Sequence, residues 1–165
     1  MLKIIVTGPE SSGKTTLCKA LSKHFNLPFS KEYAREYLDA LNRDYNQDDL
    51  LKIAKEQLQS ENGIQLLDTD LITLKIWSKY KYGSCDKWIL NQVEKQKSEK
   101  RFYLLCKPDI PWEVDPQREN PNDREELFEI YKKEIASLGH DYFVVEGENR
   151  TENCISKIYP LRSLI

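Results

Sequence analysis

The sequence predicts an α/β fold: a five-stranded parallel sheet covered on both faces by helices, in a three-layer sandwich. Three observations lead there. Short runs rich in apolar and β-branched residues alternate along the chain with segments whose apolar residues recur at helical spacing, the pattern of a parallel sheet. The clearest of the short runs, residues 102–106, is apolar throughout, as suits a parallel strand buried on both faces. The chain has 165 residues, of which 39% are hydrophobic. That is enough for one compact domain over 1–165, since a chain of ~150 residues buries roughly two-thirds of its unfolded surface.

In chain order, residues 2–7 are a β-rich run and residues 8–15 a loop leading into a helix. Leu17, Ala20, Leu21 and Phe25 share one helical face, and Asn26 and Pro28 stop it. Residues 27–31 form a short second strand, after which Tyr33, Tyr37, Leu38 and Leu41 again share a helical face. Asn46 is placed to cap a helix whose first turn holds two aspartates, which suits the helix dipole; Asn62-Gly63 ends it. Residues 64–67 are the third strand, closed by Asp68. Leu74, Trp77 and Tyr80 mark another helix, and residues 88–93 one more. After the fourth strand, residues 107–123 hold Pro108, Pro111, Pro116 and Pro121, and a long loop of this kind is usually functional. Asn122 and Glu125 have capping-box spacing for a helix whose apolar face is Leu127, Phe128, Tyr131, Ile135 and Leu138, ended by Gly139. Residues 142–145 are the fifth strand, and Thr151 caps a last short helix.

Composition narrows the function. Lys and Arg number 25 against 27 Asp and Glu, a formal net charge of −2, so no broad electrostatic attraction to nucleic acid or membrane is expected. No apolar run approaches the ~20 residues of a membrane span, and the N-terminal apolar stretch is too short for a signal peptide, so a cytoplasmic protein is expected. Cys18, Cys85, Cys106 and Cys154 are widely spaced and only His24 and His140 accompany them, which gives a zinc site no support; the cysteines read as reduced packing residues.

The strongest signal is Gly8-Pro9-Glu10-Ser11-Ser12-Gly13-Lys14-Thr15, which matches G-x-x-x-x-G-K-S/T at every fixed position, after a strand and before a helix. The glycines let backbone N–H groups turn inward around phosphate oxygens, and the following helix adds the positive end of its dipole. Lys14 reaches the β and γ phosphates, and the Thr15 hydroxyl is placed to ligate Mg²⁺. Residues 8 and 10–16, Thr16 included, are therefore the expected nucleotide-binding set, with ATP and Mg²⁺ as the cofactors. The motif leaves the phosphoryl acceptor open: a small-molecule kinase, a GTPase switch, a motor ATPase and a nucleotide-binding module all begin this way. A GTPase would need N-K-x-D and D-x-x-G, whereas Cys106-Lys107-Pro108-Asp109 lacks the base-reading amide and Asp68-Thr69-Asp70-Leu71 is no D-x-x-G. The length suits a small-molecule kinase.

In an open parallel sheet, ligands bind beyond the carboxyl ends of the strands. Glu32 and Arg35 follow the second strand and Asp68 and Asp70 the third, so all four are expected near the γ-phosphate. A kinase acting on an alcohol needs a carboxylate to take the hydroxyl proton and another to hold Mg²⁺, usually through water. Asp68, directly after an apolar strand, is the expected metal-side acid, leaving Glu32 and Asp70 for the substrate hydroxyls. Asp70 is equally placed to cap the helix carrying Trp77, and Glu32 and Arg35 have the spacing of a surface ion pair. The proline-rich segment, about 107–123, reads as a lid whose Arg118, with Trp112 and Asp115 nearby, stabilises the transferring phosphoryl group on closure. Arg124 follows the lid. Trp77, Trp112, Tyr33 and Tyr37 are available to stack on a planar ring, most favourably a cationic one. Residues 146–150, after the fifth strand, are expected to border the nucleotide base.

Together, residues 8–16 (G-P-E-S-S-G-K-T-T), 32–37 (E-Y-A-R-E-Y), 68–73 (D-T-D-L-I-T) and 109–118 (D-I-P-W-E-V-D-P-Q-R) resemble the ribosylnicotinamide kinase domain of the NadR family, in order and over nearly the whole chain. The resemblance implies a nucleoside-kinase-like P-loop fold with a lid after strand four, and ATP-dependent phosphorylation of the 5′-hydroxyl of nicotinamide riboside to nicotinamide mononucleotide. It implies that Lys14 and Thr15 bind phosphates and Mg²⁺, that Asp68 and Asp70 are an acidic pair, and that Arg118 is the lid arginine. Nicotinamide in this substrate is a pyridinium, in accord with the aromatic residues. Regulatory members of the family carry an adenylyltransferase domain ahead of the kinase; neither that nor a DNA-binding domain is read in this sequence, so kinase activity alone is expected.

Overall fold

In the computed structural model, which describes residues 1–164 and side chains to residue 161, β1 (Lys3–Thr7), β2 (Phe29–Ser30), β3 (Leu66–Asp68), β4 (Arg101–Cys106) and β5 (Asp141–Val145) make one sheet. The strands pair parallel throughout, in the order β2-β3-β1-β4-β5. The helices between them are α1 (Lys14–Phe25), α2 (Tyr33–Asp39), α3 (Gln47–Ser60), α4 (Leu71–Tyr82), α5 (Lys87–Lys95), α6 (Arg124–Ser137) and α7 (Arg150–Ile158). The predicted three-layer α/β architecture is the observed one. No helix among the described residues is long and apolar enough to cross a membrane.

Successive side chains of a strand point to opposite faces, so each strand feeds two cores. Ile4 and Val6 of β1, Leu66 of β3 and Leu104 of β4 pack with Leu17, Cys18 and Leu21 of α1 and Cys154 and Ile158 of α7. Ile5, Leu67, Tyr103 and Leu105, one residue out of phase, pack with α3, α4, α5 and α6 through Leu50, Ile53, Leu74, Ile89 and Ile135. Three of the four free cysteines, Cys18, Cys106 and Cys154, are buried; burial pushes the Cys106 and Cys154 thiols up to about 12, which keeps them protonated and inert.

Caps follow the sequence at α3 and at α4, where Asp70 accepts from the Ile72 amide, and depart from it at α6 and α7. Asn46 and Asp49 form a reciprocal capping box, with the Asn46 side chain accepting from the Asp48 and Asp49 amides and Asp49 accepting from the Asn46 amide. The capping box expected from Asn122 and Glu125 is not formed: Asp123 is the N-cap of α6 and makes no side-chain cap bond. Thr151 lies inside α7, which starts from Asn149 in the left-handed region at φ 58°. In both cases the chain enters from a loop already tied down elsewhere, and that sets the entry angle.

A buried ion network crosses the sheet. Arg101, with no exposed side-chain surface, donates to Glu61 at 2.7 Å, to Asp70 at 3.0 Å and to Glu99 at 2.9 Å. Lys3 donates to Glu61 at 2.9 Å, and the Tyr103 hydroxyl to Asp70 at 2.7 Å. Charges so far from water persist only when paired; within the network Glu61 Oε1 alone is buried without a hydrogen-bond partner among the described residues.

Candidate active site at the carboxyl edge of the sheet

The central strand β1 runs straight into the phosphate-loop motif. Gly8 sits at φ 139°, and a Cβ there would lie 2.6 Å from the Cys106 carbonyl oxygen, so the turn out of β1 accepts glycine alone. Ser11 (φ 53°) and Gly13 (φ 83°) carry the loop around to α1, whose first turn has no side-chain cap, leaving its amides open. The Lys14 ammonium folds over the loop and donates to the Pro9 carbonyl at 2.8 Å; Ser12 Oγ donates to the same oxygen at 2.7 Å. Thr15 Oγ1 donates to Asp68 Oδ2 at 2.7 Å. The other oxygen, Asp68 Oδ1, is buried and has no hydrogen-bond partner among the described residues. Burial pushes the Asp68 carboxyl above the usual carboxylate range, against the Thr15 hydrogen bond and the Lys14 charge.

A cavity of about 390 Å³ opens from this loop. The loop, Thr16 included, forms its floor; Glu32 enters from the N-cap position of α2 and Arg35 from α2 itself, Trp77 and Lys81 from α4, Tyr131 from α6, and Arg118 and Glu119 from the lid. Burial raises the Glu32 carboxyl above the usual range; Lys14 opposes this, Asp68 reinforces it, and Arg35 and Arg118 oppose it more weakly. Arg35 pairs with Asp115 of the lid at 2.8 Å. Trp77 Nε1 donates to the Tyr45 hydroxyl at 2.9 Å, which fixes the indole in the wall.

Four expected residues stand elsewhere; Tyr37 is one, its hydroxyl donating to Asp49 at 2.8 Å away from the cavity lining. Asp70 is fully buried outside the cavity lining: Oδ1 caps α4 by accepting from the Ile72 amide at 3.1 Å, and Oδ2 accepts from Arg101 and Tyr103. The expectation that it meets substrate is corrected, because these partners use both its oxygens. Tyr33 packs against the α3 side of the core, its amide donating to Gln57 at 2.9 Å, and does not line the cavity. Trp112 also stays off the lining; the Arg124 guanidinium lies 5.6 Å from its ring centre.

The lid, residues 107–123, lies against the phosphate loop without helix or strand of its own. Arg118 donates to the Glu113 carbonyl at 2.7 Å and approaches Ser11 Oγ at 3.4 Å. The Glu113 amide donates to Ser11 Oγ at 2.9 Å, and Arg124 donates to the carbonyls of Ser11 and Ile110, both at 3.0 Å. Glu10, expected to face ATP, turns its carboxylate to the amides of Glu119 and Asn120. Arg150 at the start of α7 bonds the carbonyls of Ser12 (2.8 Å) and Lys107 (2.9 Å) and pairs with Asp109, tying the loop after β5 to the phosphate loop. Lys81 and Tyr131 were not legible as site residues. Tyr131 lies on an apolar stripe at helical spacing, and no feature of that stripe separates core from cavity wall.

Comparison with known proteins gives this geometry a context. A model of the AAA domain matches residues 3–152. The trifunctional NAD biosynthesis/regulator protein NadR of Escherichia coli (strain K12) is 23% identical over 159 residues, 88% of this chain and 38% of that protein. Crystal structures of NadR, in complex with NR and with NAD and AMP-PNP, superpose with TM-scores of 0.73 and 0.69 at 27% and 26% identity. Each match covers 96% of this chain, which spans about half of either NadR structure (50% and 49%). Deoxyadenosine kinase from M. mycoides with bound dCTP shares the fold, with a TM-score of 0.61 at 14% identity over 96% of this chain and all of that one (100%). Matched from the first residue of β1 into α7, and folded around a phosphate loop in an architecture common to NadR and a nucleoside kinase, the chain belongs to the AAA domain family.

Proposed function

We propose that this chain is an ATP-dependent kinase of nucleosides, with nicotinamide riboside as acceptor and its 5′-hydroxyl as nucleophile. One observation carries the proposal: Lys14, Thr15 and the half-buried Glu32 carboxylate line one cavity of about 390 Å³ beneath an arginine-bearing lid, and Asp68 stands behind Thr15, accepting its hydroxyl at 2.7 Å. A phosphate loop alone serves any nucleotide triphosphate; a carboxylate across from it serves an acceptor. The matched NadR structure in complex with NR supports this choice of acceptor.

Glu32, at the N-terminal end of α2, would accept the hydroxyl proton as the nucleoside oxygen bonds to the γ-phosphorus and the bond from phosphorus to the bridging oxygen breaks. Its raised pKa brings it nearer the operating pH, which favours proton transfer. Lys14 would leave the Pro9 carbonyl for the β and γ oxygens, and Arg118 would meet the charge spread over the γ-phosphoryl group in the transition state. Mg²⁺ takes oxygen ligands, and the Thr15 hydroxyl with the unpartnered Asp68 Oδ1 suits it; when bound there it would neutralise charge on the β and γ phosphates. Trp77 presents an aromatic surface that favours a cationic ring.

The test is a panel of nucleosides, nicotinamide riboside among them, incubated with Mg-ATP and the protein and read by mass spectrometry. A phosphorylated nicotinamide riboside is the expected product, absent with Lys14→Ala. ATP hydrolysis indifferent to every added nucleoside would sink the kinase proposal, and phosphorylation of another nucleoside alone would move the acceptor.

A further inference from the structure

Two adjacent lid residues face opposite walls of the cavity. Arg118 reaches the phosphate loop at Ser11, while the Glu119 carboxylate accepts from the Tyr45 hydroxyl at 2.7 Å and from the Lys81 ammonium at 2.8 Å on the acceptor side. The backbone that follows Arg118 is held by the phosphate loop. Both oxygens of Glu10 accept the Glu119 amide at 3.2 Å, and Glu10 Oε2 also accepts the Asn120 amide at 3.0 Å. Glu10 belongs to the phosphate loop itself, where a negative charge repels a triphosphate. Its carboxylate is engaged with lid amides, in charge-assisted bonds stronger than neutral ones.

We propose that Glu10 is a positioning residue, whose grip on the Glu119 and Asn120 amides, with Glu119 anchored to Tyr45 and Lys81, holds Arg118 over the transferring phosphoryl group. The proposal rests on the kinase function above. It makes the phosphate loop more than a cradle, since a side chain of the loop itself also seats the lid. A lid arginine out of place by about 1 Å costs on the order of 10²-fold in rate.

The experiment is a double-mutant cycle of Glu10→Ala and Arg118→Ala in the full chain, read by kcat, ATP dissociation constant and hydrogen exchange over residues 113–120. Glu10→Ala should lower kcat by about 10²-fold and leave ATP binding equal or tighter, because a repelling charge has gone. In the Arg118→Ala background it should cost nothing more, since both losses are one loss. Glu10→Gln, which keeps one acceptor oxygen, should recover part of the rate. Exchange across 113–120 should quicken in ligand-free Glu10→Ala. Multiplying rate losses, weakened ATP binding at unchanged kcat, or unaltered exchange would each overturn the proposal. If Glu10→Ala does not fold, Glu10→Gln, which keeps the size of the side chain and removes its charge, tests the same grip by the same readouts. A wild-type protein that phosphorylates no nucleoside removes the kinase function, and the ligand-free exchange measurement still decides the latch.

Discussion

Asp68 and Asp70 lie two residues apart and belong to different regions of the molecule. Asp68 faces the phosphate loop with one oxygen on Thr15 and the other without a partner. Asp70 faces the buried ion network, with Arg101, Tyr103 and the α4 amide using both oxygens. Between them Thr69 takes φ 67°, in the left-handed region, and turns the chain. Both side chains are removed from water, so burial does not tell them apart. What separates these two aspartates is the number of lone pairs the fold itself uses, together with the side of the sheet edge each faces: Glu61 also keeps a buried oxygen without a partner, but away from the phosphate loop. A buried carboxylate left short of partners costs stability; at Asp68 the shortfall leaves an oxygen for a ligand.

Breaking the structural side should have the largest effect. Asp70→Ala takes from buried Arg101 one of its three carboxylate partners, and from the Tyr103 hydroxyl and the Ile72 amide their acceptor, and should cost about 3–5 kcal/mol. At about 2–4 °C per kcal/mol for a chain of this size, that lowers Tm by roughly 10 °C in calorimetry. Turnover per folded molecule should survive. A stable Asp70→Ala protein with lost turnover would return Asp70 to the site.

The working side should answer in the opposite sense. Asp68→Asn should lower kcat by about 10²–10³, or about 2.7–4 kcal/mol of barrier, while Tm holds or rises because a buried, half-satisfied charge is gone. A fall in Tm with intact kcat would make the two aspartates alike.

Glu32 sharpens the comparison through pH. Its folded pKa is raised by burial, so the base form is lost as pH falls through a value above the ordinary glutamate range near 4.3. The rate–pH profile should therefore carry an acid limb displaced upward. Glu32→Gln should flatten that limb and cost about 10²-fold in kcat. A wild-type limb at the ordinary value would place the base elsewhere.

The smallest effect is expected at a fourth carboxylate, fully partnered and remote from the chemistry. Asp49 accepts from Arg43, Tyr37 and the Asn46 amide, and these hold its carboxyl below the usual range, with Arg43 the main cause. A depressed folded pKa contributes stability that is present above the unfolded value near 3.9 and lost as pH falls through the folded one. Asp49→Ala should cost about 1 kcal/mol, as for loss of a helix cap, and urea titrations should show that cost vanish in acid. Activity should not change.

The legible parts of this molecule share one property: short range. Gly8 and Gly13 bend the backbone, Lys14 and Thr15 follow within one turn, and Asp68 ends an apolar strand, so each role depends on neighbours within a few residues. The strands could be read for the same reason, since alternation and apolar runs are local. Asp70 is legible as the cap of α4, through the Ile72 amide two residues on, but not as a member of the ion network, because Arg101 and Tyr103 lie 31 and 33 positions away. Tyr131 and Lys81 sit on stripes that look like core and surface, and only the placement of α4 and α6 around the cavity makes them wall. Glu10 belongs to a recognisable motif, yet its contacts lie more than a hundred positions along the chain.

By itself, then, the amino-acid order determined the parallel α/β sheet, the loop shaped for phosphate and the placing of acids at the strand ends. These follow from backbone sterics and hydrophobic periodicity, which act between near neighbours. Which acid keeps an open oxygen, which aromatic rings reach the cavity and how the lid seats were decided only by tertiary packing. Those outcomes depend on which distant group arrives first at each lone pair, and a buried polar atom, once paired, is no longer available for chemistry.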